Sequence, residues 1–383
     1  MNWKKVLLIA FALVLTLGLV ACGDDTNGDT NGEDTAAPAA EALNIVIVTS
    51  PSGVDDGSFN QTAYEGIQDF ISMNPDSTVH HVLEPDMDNA VAAVGQVVAD
   101  YDVAVLAGFQ FAGITEVAQN NPDTYFILID IFPADPEGGD DPVVLDNVYA
   151  MQFAEQESGF LAGIAAAMET ETGKVGFIGG MAIPPVVNYH FGFISGVEYA
   201  NSNLDANAEI VNLSQFGGTD VRGVDIAGNY VGAFNDEAQG KVVAEALIAA
   251  DVDVLFVAAG GSGNGAFTAA KETTDVWVIG CDVDQWHLGE DGDRNIVLTS
   301  ALKVIDINVV RVLSDIANDA FMGGNYVLTA AEDSTGLVTY DGSQQLDAAT
   351  IDAINDAFDA VKAGTIVPAS NFNEIDPTDF PGL

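Results

Sequence analysis

Residues 48–66 read VTSPSGVDDGSFNQTAYEG and lie between an apolar run and a segment with helical spacing. The apolar run, 43–48, leads through Ser50 into an acidic turn that contains two glycines. From Phe59 onward, apolar residues recur three or four positions apart, which predicts a buried strand, a loop and a helix start. Ligands of open α/β sheets bind beyond the carboxyl ends of strands, so we predict a ligand-binding loop here. Phe59 has a second interpretation, as a residue that packs the helix against the sheet.

Residues 1–22 have the pattern of an export signal. Lys4 and Lys5 precede an apolar core at 6–20, and small residues precede Cys22. This core is short for a membrane span, and small residues before a cysteine indicate cleavage. The segment resembles a bacterial lipoprotein signal, in which Cys22 becomes the lipid-bearing first residue of the mature chain. An ordinary signal peptide or an uncleaved anchor is the alternative, and all three predict export.

Residues 23–42, GDDTNGDTNGEDTAAPAAEA, contain no large apolar side chain. Such a composition buries too little surface to offset the entropy of ordering, so we predict a disordered acidic tether.

About 340 residues follow the tether, which is long for a single core and suits two lobes. Strand-like apolar runs alternate with helix-like segments such as 90–99, 159–168 and 241–249. The strand-like runs are 43–48, 78–83, 103–107, 125–129, 144–151, 174–178, 208–214, 252–258, 275–280 and 296–299. This alternation predicts an α/β protein whose parallel sheets are covered on both faces.

The chain is strongly acidic, with 58 Asp and Glu against 10 Lys and Arg and a formal net charge of -48. Removal of residues 1–22 takes away Lys4 and Lys5 and no acidic residue, which leaves 8 basic residues and a net charge of -50. Nucleic-acid binding requires clustered basic residues, so that class is excluded and phosphorylated ligands are disfavoured. Self-repulsion of this size is typical of halophilic proteins, because molar salt screens surface charges.

A glycine loop at 261–266 follows an apolar run and satisfies a loose G-x-G-x-x-[GA] pattern. The next strand-like run ends near Asp282, about where a dinucleotide-binding fold places its ribose-binding acid. An exported dinucleotide-dependent oxidoreductase is therefore an alternative function. In either case the glycines allow backbone to approach a ligand. Cys281, the remaining cysteine of the mature chain, is interpreted as a core residue.

Other catalytic and metal-binding patterns are missing from the sequence. The four histidines, His80, His81, His190 and His287, have no metal-ligand spacing. The acidic turn at 290–295 lacks the terminal Glu of a calcium loop, since Leu302 occupies that position. There is no G-x-S-x-G or S-x-x-K motif. We therefore expect no metal, no cofactor and no catalytic residues.

Seven motifs follow one another across residues 43–370. They are VDDGSFNQ (54–61), FAEQESGFLAG (153–163), KVGFIGG (174–180), GAFND (232–236), AAGG (258–261), IGCDVDQ (279–285) and TSALK (299–303). In sequence and in order these motifs resemble the basic membrane protein family of transporter lipoproteins, whose best-known members resemble purine nucleoside receptors.

The resemblance implies a type I periplasmic binding protein, in which two parallel-sheet lobes joined by three crossovers close on a ligand by hinge motion. We expect the crossovers near Phe153, Gln285 and Val327. Lobe 1 would comprise residues 43–152 and 286–326, and lobe 2 would comprise residues 153–285 and 327–383.

The resemblance also implies the residues that contact a nucleobase. Phe59 and Phe234 would sandwich the base, Asn60 and Asp130 would hydrogen-bond it, and Gly260 would let the backbone reach the ligand. Phe234 has the alternative of a core residue, although its glycine and acidic neighbours are typical of a turn. Asp130 has the alternative of a turn former at a strand end.

On the ribose side, the resemblance implies that Asp282 and Lys303 hold the sugar hydroxyls. Asp284 competes with Asp282 for this role. Lys303 is one of only 8 basic residues in the mature chain, which favours a local function for it. One departure from the family pattern is Ser50, since family members usually carry an aspartate after Val-Thr. That change weakens the expectation of purine specificity.

The function implied is a lipid-anchored, extracytoplasmic and monomeric receptor that captures a nucleoside and delivers it to an ABC-type permease. A receptor for another small polar ligand, such as a sugar, and a sensory lipoprotein are the alternatives among binding proteins.

Overall fold

A computed structural model describes residues 40–139, 141–371, 373 and 375–379 of the chain. The predicted signal, its Cys22 and tether residues 23–39 lie outside these described residues. The fold begins slightly before the expected end of the tether, because the backbone N–H of Glu41 donates to the carbonyl of Ala317 (2.9 Å).

The first sheet has six strands, all paired in parallel. In chain order they are β1 (Asn44–Thr49), β2 (Thr78–Leu83), β3 (Val103–Ala107), β4 (Tyr125–Ile129), β5 (Val148–Phe153) and β15 (Gly324–Leu328), and their order in the sheet is β15-β5-β4-β3-β1-β2. Side chains alternate between the faces, so Ile45 and Ile47 enter one core whereas Val46 and Val48 enter another. Helices cover both faces, and the continuous apolar strand runs follow from this burial.

Four helices cover this sheet and form lobe 1 with it. They are α1 (Phe59–Met73), α2 (Ala90–Val97), α3 (Thr115–Asn120) and α8 (Ile305–Ala317). Helices α1 and α8 pack on the face of Ile47, and α2 and α3 pack on the face of Val48.

The second sheet has the order β16-β14-β11-β10-β6-β7. Its strands are β6 (Lys174–Gly179), β7 (Glu209–Ile210), β10 (Val254–Ala258), β11 (Trp277–Asp282), β14 (Val297–Lys303) and β16 (Thr335–Leu337), and β16 alone runs antiparallel to its neighbour. Two small hairpins, β8 (Gly218–Thr219) with β9 (Asp225–Ile226) and β12 (Glu290–Asp291) with β13 (Arg294–Asn295), lie outside it. The run at 208–214 forms only the two-residue β7, because its side chains are mostly solvent-accessible at the sheet edge.

Five helices cover the second sheet and complete lobe 2. They are α4 (Glu155–Glu169), α5 (Pro184–Asn203), α6 (Glu237–Ile248), α7 (Gly263–Lys271) and α9 (Ala348–Lys362). Helices α4, α5 and α9 share one core, and α6 and α7 share the core on the opposite face. A Cβ on Gly163 would lie 2.2 Å from the carbonyl oxygen of Phe193, and one on Gly196 would lie 2.0 Å from that of Phe160. Glycine is therefore required for the close packing of α4 on α5.

Within the described residues the chain crosses between the lobes three times, from β5 to α4, from β14 to α8, and from β15 to β16. The second crossing corrects the predicted position near Gln285. Residues 286–303 remain in lobe 2, because β14 pairs with β11 and β16 in its sheet, and the chain leaves after Lys303. The first turn of α4 hydrogen-bonds to the strands that flank the other two crossings. Ser158 Oγ donates to the Leu302 carbonyl of β14 (2.7 Å) and accepts from the Gly336 N–H of β16 (3.0 Å).

Candidate functional site

A cleft of about 630 Å³, including the part that is open to solvent, lies between the carboxyl ends of the two sheets. This is within the usual range of small-molecule sites. The lining residues come from both lobes and include Ser50, Ser52, Asp56, Phe59, Asn60, Met87, Gly108, Phe109, Gln110, Asp130, Ile183, Pro185, Val186, Tyr189, Phe234, Ala258, Gly260, Cys281, Asp282 and Lys303. All eight residues predicted from the sequence are among them.

The loop between β1 and α1 is held in shape by the buried carboxylate of Asp56. This carboxylate accepts hydrogen bonds from the backbone N–H groups of Ser58, Asn60 and Gln61 at 3.0–3.1 Å, and so caps α1. Burial raises the pKa of Asp56, and these hydrogen bonds oppose that rise. The Asn60 side chain donates to Ser50 Oγ (2.8 Å) and to Asp56 (2.8 Å). Both amide hydrogens of Asn60 are therefore used within the loop.

Aromatic side chains enter the cleft from both lobes. Phe59 begins α1 in lobe 1, and Phe234 lies in lobe 2 against the backbone of Gly180, where a Cβ would lie 2.3 Å from its ring. Both rings are partly exposed, and both also contact the edge of a core. Each ring can therefore pack against its core on one side and face the cleft on the other. Tyr189 from α5 is a third aromatic residue at the cleft.

Lys303 is the only cationic side chain that lines the cleft in the described part of the chain, and it is 3% exposed. Its Nζ lies 2.6 Å from Asp130 Oδ2 of lobe 1 and 3.1 Å from Glu155 Oε1 at the start of α4. Burial lowers the pKa of Lys303, but the surrounding carboxylates outweigh this and raise it above its ordinary value. The ammonium also lies 5.3 Å from the centre of the Phe59 ring. It thus bridges the two lobes as a charged group.

Burial has the opposite effect on the pKa values of the carboxylates around Lys303, which it raises. Burial raises the pKa of Asp130, with Lys303 opposing the rise. Burial also raises the pKa of Glu155 to about 7, and Asp130 adds to this effect while Lys303 reduces it. Several buried carboxylates share one ammonium, so the cluster has an excess of negative charge.

Two aspartates end corresponding strands of the two lobes with the same unusual backbone. Asp130 follows β4 and Asp282 ends β11, and both have φ of 67°, in the left-handed region. Asp282 accepts hydrogen bonds from Ser58 Oγ of lobe 1 (2.7 Å) and from the Tyr189 hydroxyl (3.2 Å). Asp284 lies outside the cleft lining and accepts from the Tyr340 hydroxyl (2.8 Å). The geometry therefore favours Asp282 over Asp284 as the cleft residue.

Further hydrogen bonds join the β1–α1 loop directly to lobe 2. Ser52 Oγ donates to the Phe234 carbonyl (2.9 Å), and Gln285 Nε2 donates to the Gly57 carbonyl (2.9 Å). Together with the bond between Ser58 and Asp282, these contacts define a closed arrangement of the lobes.

In the glycine loop at 261–266, Ser262 forms its hydrogen bonds with residues of its own lobe. The Ser262 N–H donates to the Phe234 carbonyl (2.9 Å), and the Ser262 hydroxyl donates to the Ala233 carbonyl (3.0 Å) and accepts from the Asp236 N–H (2.8 Å). A diphosphate-binding loop would instead present such N–H groups to its ligand. The geometry gives no support to the dinucleotide alternative.

Five residues important to the site were missed by the sequence analysis, namely Ser52, Gln110, Glu155, Asp56 and Tyr189. Asp56 and Glu155 lie within the motifs quoted above, so the signal was present although no role was assigned. Ser52 lies in the predicted ligand-binding loop, although no role was assigned to it. Gln110 and Tyr189 have no local signal, because their positions at the cleft depend on the packing of distant segments. No group of three or more His, Cys, Asp or Glu residues suited to a metal ion occurs among the described residues.

The two-lobed α/β fold, with a cleft of aromatic, apolar and charged side chains at the strand ends of both sheets, defines a solute-binding protein of the type I class. A family model described as "ABC transporter substrate-binding protein PnrA-like" matches residues 43–214 and 223–367. The chain therefore belongs to the Bmp family of ABC transporter substrate-binding proteins. This confirms the resemblance and the fold class predicted from the sequence.

Individual relatives and structures agree with this assignment. The chain is 31% identical over 344 residues to the ABC transporter nucleoside-binding protein BmpA of Lactococcus lactis, covering 85% of this chain and 88% of that protein. It is 29% identical over 279 residues to Basic membrane protein A of Borreliella burgdorferi, covering 71% and 72% of the two chains. A solute-binding protein of an Aeropyrum pernix K1 ABC transporter system has a similar fold, with a TM-score of 0.72 and 23% identity over 86% of this chain and 94% of that chain.

Proposed function

We propose that the protein captures a nucleoside, with a purine as the favoured base, and delivers it to an ABC-type permease. The observation that carries the proposal is a cleft that combines phenyl rings from both lobes with a buried lysine and a strand-end carboxylate. Nucleosides have an aromatic base and a hydroxyl-bearing sugar, and these groups match the two kinds of side chain. The Lactococcus lactis relative, whose name states nucleoside binding, supports the same ligand class.

In this proposal the base stacks between Phe59 and Phe234 when the lobes close. Stacking on an aromatic side chain contributes about 1–3 kcal/mol per base. Two rings would thus supply much of the roughly 8 kcal/mol that a micromolar dissociation constant represents. Asn60 would offer the second lone pair of its Oδ1 to the base, because both amide hydrogens are used within the loop and Oδ1 already accepts from the Ser50 N–H at 3.3 Å. Gly260, with φ of 52°, would let the backbone approach the ligand.

The sugar would lie on the side of Asp282 and Lys303. A carboxylate accepts hydrogen bonds from hydroxyl groups and an ammonium donates them, so this pair suits vicinal hydroxyls. Both groups are already oriented, since Asp282 is held by Ser58 and Tyr189 and Lys303 is held by two carboxylates.

A phosphate on the sugar would meet an unfavourable charge. Among the described residues, Asp56, Asp130 and Asp282 line the cleft with one cation, Lys303, which is already paired. We therefore expect nucleosides to bind and their 5′-phosphates to bind at least tenfold more weakly, since like charges in a closed site repel.

Calorimetric titration tests the ligand class directly. The protein is titrated with purine and pyrimidine nucleosides, free bases, 5′-phosphates and a panel of sugars. Micromolar binding of nucleosides supports the proposal. Binding of a sugar without binding of any nucleoside would refute it and favour another small polar ligand.

We also propose that the protein is a monomer without catalytic activity, held at the extracytoplasmic face of the membrane by lipid on Cys22. Family membership supports a membrane permease as partner. Among the described residues no helix has both the length and the apolarity needed to cross a bilayer. Labelling of cells with a radioactive fatty acid should mark the wild-type chain, and Cys22→Ala should abolish the label and release the protein from membranes. Recovery of the nucleoside unchanged after prolonged incubation checks the absence of catalysis.

A further inference from the structure

Two acceptor oxygens at the lobe 1 end of the cleft have no hydrogen-bond donor within the described part of the chain. They are Oδ1 of Asp130 and Oε1 of Gln110, and each is inaccessible to solvent. Both residues line the cleft, and they follow neighbouring strands, since Ala107 of β3 is paired with Ile129 of β4. Two buried acceptors without donors at one end of a ligand site point to a ligand that supplies the donors.

The hydrogen bond made by the amide nitrogen of Gln110 sets the orientation of this side-chain amide. Its Nε2 donates to the carbonyl oxygen of Ala107 at 3.0 Å. Exchanging the amide nitrogen and oxygen would place two oxygens against each other, so Oε1 is the free end. The amide also lies close over Gly108, where a Cβ would be 2.4 Å from Oε1. Gly108, with φ of 120°, thus makes room for this arrangement.

The carboxylate of Asp130 is likewise fixed by a hydrogen bond to only one of its two oxygens. Its Oδ2 accepts from Lys303 at 2.6 Å, which leaves Oδ1 for another partner. The residue is only 7% exposed, so water does not readily compensate. A buried acceptor left without a donor is costly, and binding is therefore sensitive to whether the ligand provides one.

The neighbouring polar groups do not satisfy these oxygens. Both amide hydrogens of Asn60 are donated to Ser50 and Asp56. Ser50 Oγ accepts one of them and retains its own hydroxyl hydrogen as a donor. This end of the cleft thus offers two unpaired acceptors and one hydroxyl donor to a ligand, beside Asn60 Oδ1, which already accepts from the Ser50 N–H at 3.3 Å.

We propose that Gln110 and Asp130 select nucleosides whose base carries an exocyclic amino group. An amino group has two N–H bonds, one for each oxygen, and the adjacent ring nitrogen or carbonyl accepts from Ser50. Adenine, guanine and cytosine meet this requirement, whereas hypoxanthine and uracil each have a single ring N–H donor. The inference rests on the proposed nucleoside function and adds a specificity determinant to it.

The test compares ligands that differ only in the amino group. The protein is titrated calorimetrically with adenosine and with purine riboside, which lacks the 6-amino group, and then with cytidine and uridine. We expect the amino-bearing member of each pair to bind at least tenfold more tightly, because its partner leaves buried acceptors unsatisfied. Equal affinities within twofold would overturn the inference while leaving the proposed function intact. Failure of every nucleoside to bind would overturn both.

Two variants assign the effect to Gln110. Gln110→Leu should reduce the preference for adenosine over purine riboside several-fold, mainly by weakening adenosine. Gln110→Glu keeps an acceptor at this position and should retain the preference. Circular dichroism and melting temperature establish that each variant is folded, and purine riboside affinity reports the integrity of the cleft. An unchanged ratio in Gln110→Leu would refute the role of this side chain.

Discussion

Replacing Glu155 with glutamine should stabilise the fold above neutral pH, although it removes one partner of a buried ion pair. Glu155 is 2% exposed, with Oε1 3.1 Å from Lys303 and Oε2 accepting from Asn188 at 2.9 Å. Lys303 has a second, closer carboxylate in Asp130 at 2.6 Å. The lysine therefore remains paired in the variant, and one buried negative charge is removed.

The magnitude follows from the pKa of Glu155. Burial raises this pKa from 4.5 to about 7, and each pKa unit corresponds to about 1.4 kcal/mol. Between these pH values the folded protein keeps a proton that the unfolded chain has released. The contribution of Glu155 to stability is therefore greatest below pH 4.5, falls by about 3 kcal/mol between pH 4.5 and 7, and levels off above pH 7. Glutamine resembles the neutral carboxyl and does not titrate, so the variant lacks this loss.

Urea unfolding of the wild type and Glu155→Gln at pH 5, 6, 7 and 8, at one fixed KCl concentration, measures the difference. The variant should be within about 1 kcal/mol of the wild type at pH 5 and up to about 3 kcal/mol more stable at pH 8. Glu65→Gln changes an exposed carboxylate on α1 and serves as the control, with no comparable trend. A variant that is less stable than the wild type at pH 8, or a difference that is constant with pH, would refute this reasoning.

Three further predictions concern the cleft and the surface. Phe59→Ala and Phe234→Ala should each weaken nucleoside binding by about 1–3 kcal/mol. Each should lower the melting temperature of the ligand-free protein less than a core Phe→Ala substitution does. A large loss of melting temperature with unchanged nucleoside affinity would show that both rings are core residues. Ser52→Ala removes the hydrogen bond from Ser52 to the Phe234 carbonyl of the other lobe, and should therefore speed thiol labelling of the buried Cys281 a few-fold in a chain whose other cysteine is replaced by alanine. The control Ser72→Ala, on the exposed face of α1, should leave the labelling rate unchanged. Melting temperature should rise steeply from 0.1 to 3 M KCl with nucleoside affinity maintained, because salt screens the unmatched negative charges; a flat curve would rule out halophilic adaptation.

Local patterns in the sequence were sufficient to predict the class of fold. Residues 45–48 are all apolar because both faces of their sheet are covered, and strand spacing alternates with helix spacing along the chain. These patterns arise from neighbouring residues and need no knowledge of long-range contacts. The family resemblance then added the three crossovers between the two lobes and an assignment of eight residues, all of which lie at the cleft.

The lobe boundary depended on the tertiary structure. The run at 296–299 predicts a strand in either lobe, since its composition does not specify a partner strand. Only the pairing of β14 with β11 and β16 places it in lobe 2 and moves the second crossing from Gln285 to the position after Lys303.

The roles of individual cleft residues also depended on the tertiary structure. Lys303 and Asp130 are 173 positions apart, and their contact exists because β14 and β4 end at the same cleft. The engagement of Asn60 by Ser50 and Asp56, and the unpaired oxygen of Gln110, depend likewise on how the loops fold against their strands. The sequence by itself determined the class of fold, most of the strands and helices and the kinds of side chain at the site, whereas β15 (Gly324–Leu328) and β16 (Thr335–Leu337) lie outside the predicted strand runs. Which donors meet which acceptors was decided by packing, because hydrogen bonding depends on distances that sequence spacing does not contain.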